Sequence, residues 1–176
     1  MFEKLIELIA QGWERVAPFV VVHPYEQGII LRFGKYHSSK EAGFHWKWPF
    51  ADEVIQITTC LTTLRLPPQT LTTSDDVQVV VSAIIKYEIR DPEPFVTKIY
   101  DQVDVLADIT MGAIRNSVVS LSYEELVKAP PEQMIIKEVR KYVNQFGFKI
   151  EAITFTDIGR VRSIRLIQPN GINLTN

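Results

Sequence analysis

Residues 21–50 read VVHPYEQGIILRFGKYHSSKEAGFHWKWPF, and this stretch decides the fold. Gly28 opens a strand-like run that ends at Phe33 and is closed by Gly34-Lys35; a polar stretch, residues 36–42, follows. Gly43 then opens a segment in which Phe44, Trp46 and Trp48 alternate with His45 and Lys47 until Pro49 stops it. The pattern predicts a hairpin of residues 28–33 with residues 43–48, joined by the polar stretch. A period of two puts the three aromatics on one face, as in a half-buried strand, so core packing is the first reading of that face. A loop dipping into a bilayer is the second, because tryptophan and phenylalanine also favour membrane–water interfaces.

Downstream, residues 53–66 are Thr-rich and strand-like, and Pro67-Pro68 ends that lobe. Residues 77–89 carry the clearest strand: Val77, Val79, Val81, Ala83, Ile85, Tyr87 and Ile89 recur at period two, and Val80 and Ile84 on the other face imply cover on both sides. Asp91-Pro92 stops it. The period then becomes helical, with an apolar stripe of Val103, Leu106, Ile109, Ala113, Ile114, Val118 and Leu121. Ser122 and Glu125 form a capping box for a short helix through Lys128. Pro130-Pro131 restarts a helix with Met134, Ile135, Val139, Tyr142, Val143 and Phe146 inward, which Gly147 ends before a last strand, residues 148–155. Strands first and helices later argue for an α+β fold: an N-terminal β-rich lobe, about residues 23–68, then an α/β lobe, about residues 69–168, and a polar tail, residues 169–176.

Upstream, MFEKLIELIAQGWERVAPFVVV is too interrupted by Glu3, Lys4, Glu7, Glu14, Arg15 and Pro18 to span a bilayer, and it lacks the features of a secretory signal. Phe2, Leu5, Ile6, Ile9, Trp13, Val16 and Val20 nevertheless follow helical spacing, with Lys4, Glu7, Gln11, Glu14 and Arg15 opposite. The segment reads as an amphipathic helix, residues 1–22, whose apolar face is extended by Phe19 and Val20. That face suits either a membrane interface or the protein's own sheet, since its polar side is not rich in Lys or Arg.

The chain has 176 residues, 46% hydrophobic and 23% charged, enough for one substantial domain or two small lobes. A net charge of −2 supplies no basic excess for a nucleic-acid partner. One cysteine, Cys60, excludes an intramolecular disulfide and fits a reducing compartment; it reads as a small half-buried strand residue. His23, His37 and His45 lack metal-ligand spacing, and Asp75-Asp76 after Thr-Ser reads as a turn and not a cation site. Gly28, Gly34 and Gly43 do not precede a helix and cannot cradle a phosphate. No catalytic constellation, cofactor motif or metal set is legible.

The ordered set Pro24, Glu26, Gly28, Arg32-Phe33-Gly34-Lys35, Gly43, His45 and Pro49-Phe50 resembles the stomatin/prohibitin/flotillin superfamily, whose shared domain is called SPFH or Band 7. Thr72-Thr73-Ser74-Asp75-Asp76, Asp91-Pro92, Arg115, Leu121, Leu126, Gly147, Phe148 and Asp157-Ile158 extend the likeness over residues 22–167. Pro130-Pro131 departs from the usual Arg or Lys, and the family's long C-terminal coiled coil has no counterpart here. The resemblance implies a non-enzymatic, membrane-associated scaffold. Such a scaffold assembles into homo-oligomeric rings or cages and organises a membrane patch or encloses a membrane-protein client. An alternative is a regulator that binds a membrane-bound protease. The resemblance favours the membrane reading of Phe2, Leu5, Ile6, Ile9, Trp13, Val16, Phe19 and Val20; Trp46 and Trp48 join them only under the second, bilayer reading of the aromatic face. The expected attachment is peripheral or monotopic, with membrane lipid, copies of the chain and a client as partners and nucleic acid excluded.

Overall fold

A computed structural model describes residues 18–161. The amphipathic segment up to residue 17 and the tail from residue 162 lie outside the described residues. The chain runs β1 (Phe19–Val22), β2 (Glu26–Arg32), β3 (Lys35–Lys40), β4 (Gly43–Trp46), β5 (Asp52–Thr58), β6 (Thr62–Arg65), β7 (Gln69–Thr72) and β8 (Gln78–Ile89). There follow α1 (Pro92–Thr97), α2 (Gln102–Val119), α3 (Tyr123–Lys128), α4 (Glu132–Val143), a 3-10 turn (Asn144–Phe146) and β9 (Phe148–Arg160). The architecture is α+β, as expected.

The expected hairpin is replaced by two pairings. β2 pairs with β3 on one side and β5 on the other, whereas β4 pairs antiparallel with β1. The polar stretch Lys-Tyr-His-Ser-Ser-Lys is thus an edge strand and not a loop. Charged and polar side chains are what an edge strand needs to discourage pairing with another chain. Phe19–Val22, read from sequence as the end of a helix, is strand β1: Pro18 has no N–H for a helix, and Val20-Val21-Val22 favours extended backbone.

The strand expected over residues 53–66 is also divided. β5 belongs to the first sheet and β6 pairs with β8, so the chain changes sheets at residues 59–61. Cys60 lies in that connection and is exposed, which corrects its reading as a half-buried strand residue. Pro67-Pro68 only interrupts the second sheet, because β6 and β7 lie end to end along one edge of β8 with the prolines between them. β9 occupies the other edge of β8 along nearly its whole length and runs on through Asp157-Ile158 to Arg160.

Alternation along β8 buries Val79, Val81, Ala83, Ile85, Tyr87 and Ile89 against Leu106, Ala113, Ile114 and Val118 of α2 and Ile135, Val139 and Val143 of α4. Each Val, Leu or Ile among them is worth about 1.5–3 kcal/mol on burial. Ile29 and Ile57 of the first sheet join the same core, which therefore crosses between the lobes. On α4, Ile136 takes an inward place that the sequence reading had given to Met134 and Tyr142, both exposed. The capping box is formed: Ser122 Oγ accepts from Glu125 N and Glu125 accepts from Ser122 N. α4 also blunts the outer edge of β9, where Arg140 Nε donates to Ile150 O at 3.1 Å and Phe155 N donates to Glu132 at 3.1 Å.

Candidate functional site

In β1 and β4 the register sets Phe19 opposite Trp46 and Val21 opposite Phe44, so these four share one face; Val20, Val22, Gly43 and His45 share the other. Val22 is buried and points toward Gly28, where an added Cβ would come within 3.0 Å of it. The small valines therefore face the first sheet and the large aromatics face outward. The alternation seen in the sequence is real, but the core-packing reading of Phe44, Trp46 and Trp48 is corrected: all three are exposed. Phe19 and Phe44 stack with ring centroids 5.4 Å apart.

The face continues at one end of the first lobe. Lys47 N donates to Pro18 O, so the point where residues 1–17 join lies beside Trp46 and Trp48. Trp48 O accepts from Ala51 N and Asp52 N, forming a tight turn with Phe50 at its tip. Phe33 N donates to Ala51 O at 2.8 Å, tying that tip to the β2–β3 turn. Trp46 is 66% exposed, Trp48 64%, Phe33 81% and Phe50 89%. Exposed aromatic residues gathered at one end of a fold make that end the candidate for a contact with a membrane or another molecule.

Beneath the tips is a rigid clamp. Arg32 grips Asp52 in a bidentate pair, Nε to Oδ1 at 2.7 Å and Nη2 to Oδ2 at 3.0 Å, and Trp48 N donates to Oδ2 at 3.0 Å. The Asp52 carboxylate is almost wholly buried. The Arg32 guanidinium, helped by the Trp48 N–H, holds its pKa down to about 2 against the opposing effect of burial. A folded-state pKa below the unfolded value means that the clamp stabilises fully above about pH 4, and that its contribution fades as pH falls toward about 2. Asp52→Asn is expected to cost about 2–3 kcal/mol at neutral pH and to remove that part of the acid dependence, so the difference between the two unfolding curves shrinks below pH 4. Chemical denaturation across the acid range checks this; a difference independent of pH would contradict it.

Among the sequence-predicted contacts, Phe2, Leu5, Ile6, Ile9, Trp13 and Val16 lie outside the described residues. Phe19 is exposed on this face, Val20 is half-buried behind it, and Trp46 and Trp48 stand on the aromatic end. Sequence reasoning missed Phe33 and Phe50. Their signal was there: Phe33 precedes a glycine in a two-residue strand connection, and Phe50 follows a proline, places where a core residue is rare.

Elsewhere among the described residues no chemistry of comparable definition is found. No group of three or more His, Cys, Asp or Glu among the described residues could hold a metal. A groove between β7 and α2 is lined by Thr70, Thr72, Ser74, Asp76 and Arg115, with no histidine or cysteine beside the hydroxyls. Asp75 is occupied as a turn acceptor, taking bonds from Thr73 Oγ1 and Tyr123 N. No helix among the described residues is long and apolar enough to cross a membrane.

Comparison with known proteins agrees with the fold. The SPFH domain / Band 7 family profile matches residues 20–166. An uncharacterized protein of Archaeoglobus fulgidus is 25% identical over 84% of this chain and 60% of its own length. The protein HflK of Vibrio cholerae is 30% identical over 72% of this chain and 32% of its own length. A stomatin homolog of Pyrococcus horikoshii is 23% identical over 78% of this chain and 53% of its own length. The chain thus spans a third to three fifths of these relatives. With a profile match over most of its length, this chain belongs to the SPFH domain / Band 7 family.

Proposed function

We propose that the protein is a non-enzymatic, membrane-associated scaffold whose first lobe rests on the bilayer through its aromatic end and whose copies assemble side by side. The observation that carries the reading is the exposed cluster of Phe19, Trp46, Trp48 and Phe50 at the end of the lobe where residues 1–17 join. In sequence those residues carry the apolar stripe of Phe2, Leu5, Ile6, Ile9, Trp13 and Val16. An apolar stripe directly preceding an exposed aromatic cluster suits an interfacial attachment that does not need a spanning helix. Family membership supports the scaffold part of the reading.

Contacts between copies fall to the second lobe. Many charges there are already engaged: Glu124 with Lys128, Glu125 in the capping box and Arg140 on Ile150 O. Val127 on α3 and Met134 and Tyr142 on α4 are exposed apolar residues, and exposed Lys137 and Lys141 accompany them on α4; these are the side chains offered to a neighbouring copy. A repeated head-to-tail contact closes into a ring when its rotation permits.

Flotation with liposomes tests attachment. The full chain is expected to co-float, and deletion of residues 1–20, or Leu5, Ile9 and Trp13 changed together to Asp, to abolish it. Electron microscopy of protein in mild detergent is expected to show rings or cages. Equal flotation of intact and deleted chains, or a monodisperse monomer both in detergent and on liposomes, would reject the proposal.

A further inference from the structure

The two flanks of β8 end in edges that are protected differently. Along β9, α4 lies against the edge and bonds to Ile150 O and Phe155 N. β7 pairs with β8 alone. Thr73 N donates to Val77 O, so that pair is a hydrogen-bonded one, and alternation along the ladder gives Leu71 with Val79 the same form. The residues between, Thr70 and Thr72, turn their N–H and C=O groups away from β8. A second bond gives the same answer: Gln78, opposite Thr72, directs its carbonyl to Val161 N on the β9 side. The outward groups of Thr70 and Thr72 have no hydrogen-bond partner among the described residues, which is the arrangement that accepts an added strand.

Beside that edge is the groove walled by α2. Ser74 N donates to Leu121 O at 2.9 Å, which ties the end of β7 to the chain just past α2. Arg115 and Val119, one helical turn apart, stand along the wall, and Val119 is 47% exposed. Leu71 is half-buried on the helix-facing side of the sheet, the side of its partner Val79. A strand beside β7 with an apolar residue opposite Leu71 lays that side chain against Leu71 and Val119. The edge strand β3 carries Lys35 and Lys40, which discourage pairing, whereas Gln69–Thr72 carries no charge.

The place where the described chain ends points to the occupant. Val161 leaves β9 beside Gln78, so β9 exits at the same end of the sheet as Thr72. A strand outside β7 is three strand spacings from β9, about 14 Å. Residues 162–171 reach about 33 Å when extended, enough to pass around the turn of residues 73–77. Arg162 and Arg165 lie on that path, and exposed Asp76 at the mouth of the groove offers them a carboxylate. Pro169-Asn170-Gly171 is a turn signal, after which Ile172 and Leu174 alternate with Asn173 and Thr175 as a half-buried strand requires. A chain returning from β9 runs antiparallel to β7, because β7 and β9 are both antiparallel to β8.

We propose that the groove between β7 and α2 is a strand-addition site, occupied by residues 172–175 of the same chain, antiparallel to β7 and with Ile172 and Leu174 turned to α2. The tail then does for β7 what α4 does for β9.

Hydrogen exchange of the full chain, resolved at single amides, tests this. In wild type the Thr70 and Thr72 amides are expected to exchange about tenfold more slowly, or slower still, than in the full-length double variant Ile172→Asp, Leu174→Asp. Ile172→Val with Leu174→Val is expected to keep the wild-type rates. The Leu71 amide bonds to β8 and is expected to stay protected in all three proteins, which reports that the sheet is intact. Fast exchange of Thr70 and Thr72 in wild type overturns the proposal. Slow exchange that the two aspartates leave unchanged also overturns it, because something other than the tail then covers the edge. A mixture separates the chain's own tail from a neighbour's: isotope-labelled double variant with unlabelled wild type is expected to remain unprotected at Thr70 and Thr72. Protection recovered on mixing assigns the groove to the tail of a second copy and overturns occupation from within the chain.

Discussion

Replacing Trp46, Trp48 and Phe50 together with serine is expected to lower vesicle partitioning about a hundredfold or more while leaving thermal unfolding little changed. The two effects separate because the three rings are 64–89% exposed and contribute almost nothing to the core. In a bilayer interface each ring buries apolar area worth about 1.5–3 kcal/mol when complete. Partial insertion of three rings still sums to about 3 kcal/mol, which is about a hundredfold in a partition constant. The turn that carries them survives, because Trp48 contributes to it through its backbone N–H and carbonyl and Asp52 is held by Arg32. A triple variant that unfolds with the loss of several kcal/mol would show the rings to be core after all.

The largest expected effect on folding is at Gly147. It ends the 3-10 turn with φ of 86°, and an added Cβ would stand 2.0 Å from Asp91 O. That oxygen belongs to the backbone, so no side-chain rotation relieves the clash. The Gly147 carbonyl also accepts from Arg90 N at 2.8 Å and Asp91 N at 3.2 Å, which locks the end of β8 to the start of β9. Gly147→Ala combines a left-handed penalty of about 1–2 kcal/mol with overpacking of about 1–3 kcal/mol and weakened hydrogen bonds, about 3–5 kcal/mol together. That is a large part of a typical domain's stability. Gly34→Ala is the internal control. Its φ of 75° carries the same backbone penalty, but nothing lies within 4 Å of the added carbon, so about 1–2 kcal/mol is expected. Denaturant unfolding of both variants separates strain from collision, and equal losses would contradict the role given to Asp91 O.

What could be read in the chain follows how local its physics is. β8 was legible because its alternation lasts twelve residues; the expected cover on both faces is not found, since the face of Val80 and Ile84 is only half-buried and includes exposed Gln78 and Lys86. The Ser122 capping box and the Gly147 stop were legible because each depends on residues three or four apart or on a single dihedral. β3 was not, because an edge strand is selected against apolar residues and so resembles a loop. The break between β5 and β6 was hidden by Thr59 and Cys60, which continue a strand-like composition without Gly or Pro. The face of β4 was legible only as an alternation: period two says that one side differs from the other, and which side meets the core depends on Val22 packing over Gly28. Phe33 was missed as a contact because its meaning lies in a positive φ that a phenylalanine rarely adopts.

The claim that the aromatic end lies in the bilayer is tested most directly by the depth of its tryptophans. The chain holds three, so Trp13→Phe leaves Trp46 and Trp48 as the reporters. Vesicles whose acyl chains carry bromine at graded depths are expected to quench their emission, most strongly with bromine nearest the headgroups, where an interfacial tryptophan sits. Emission that no brominated lipid quenches, from protein that co-floats with those vesicles, would contradict the account.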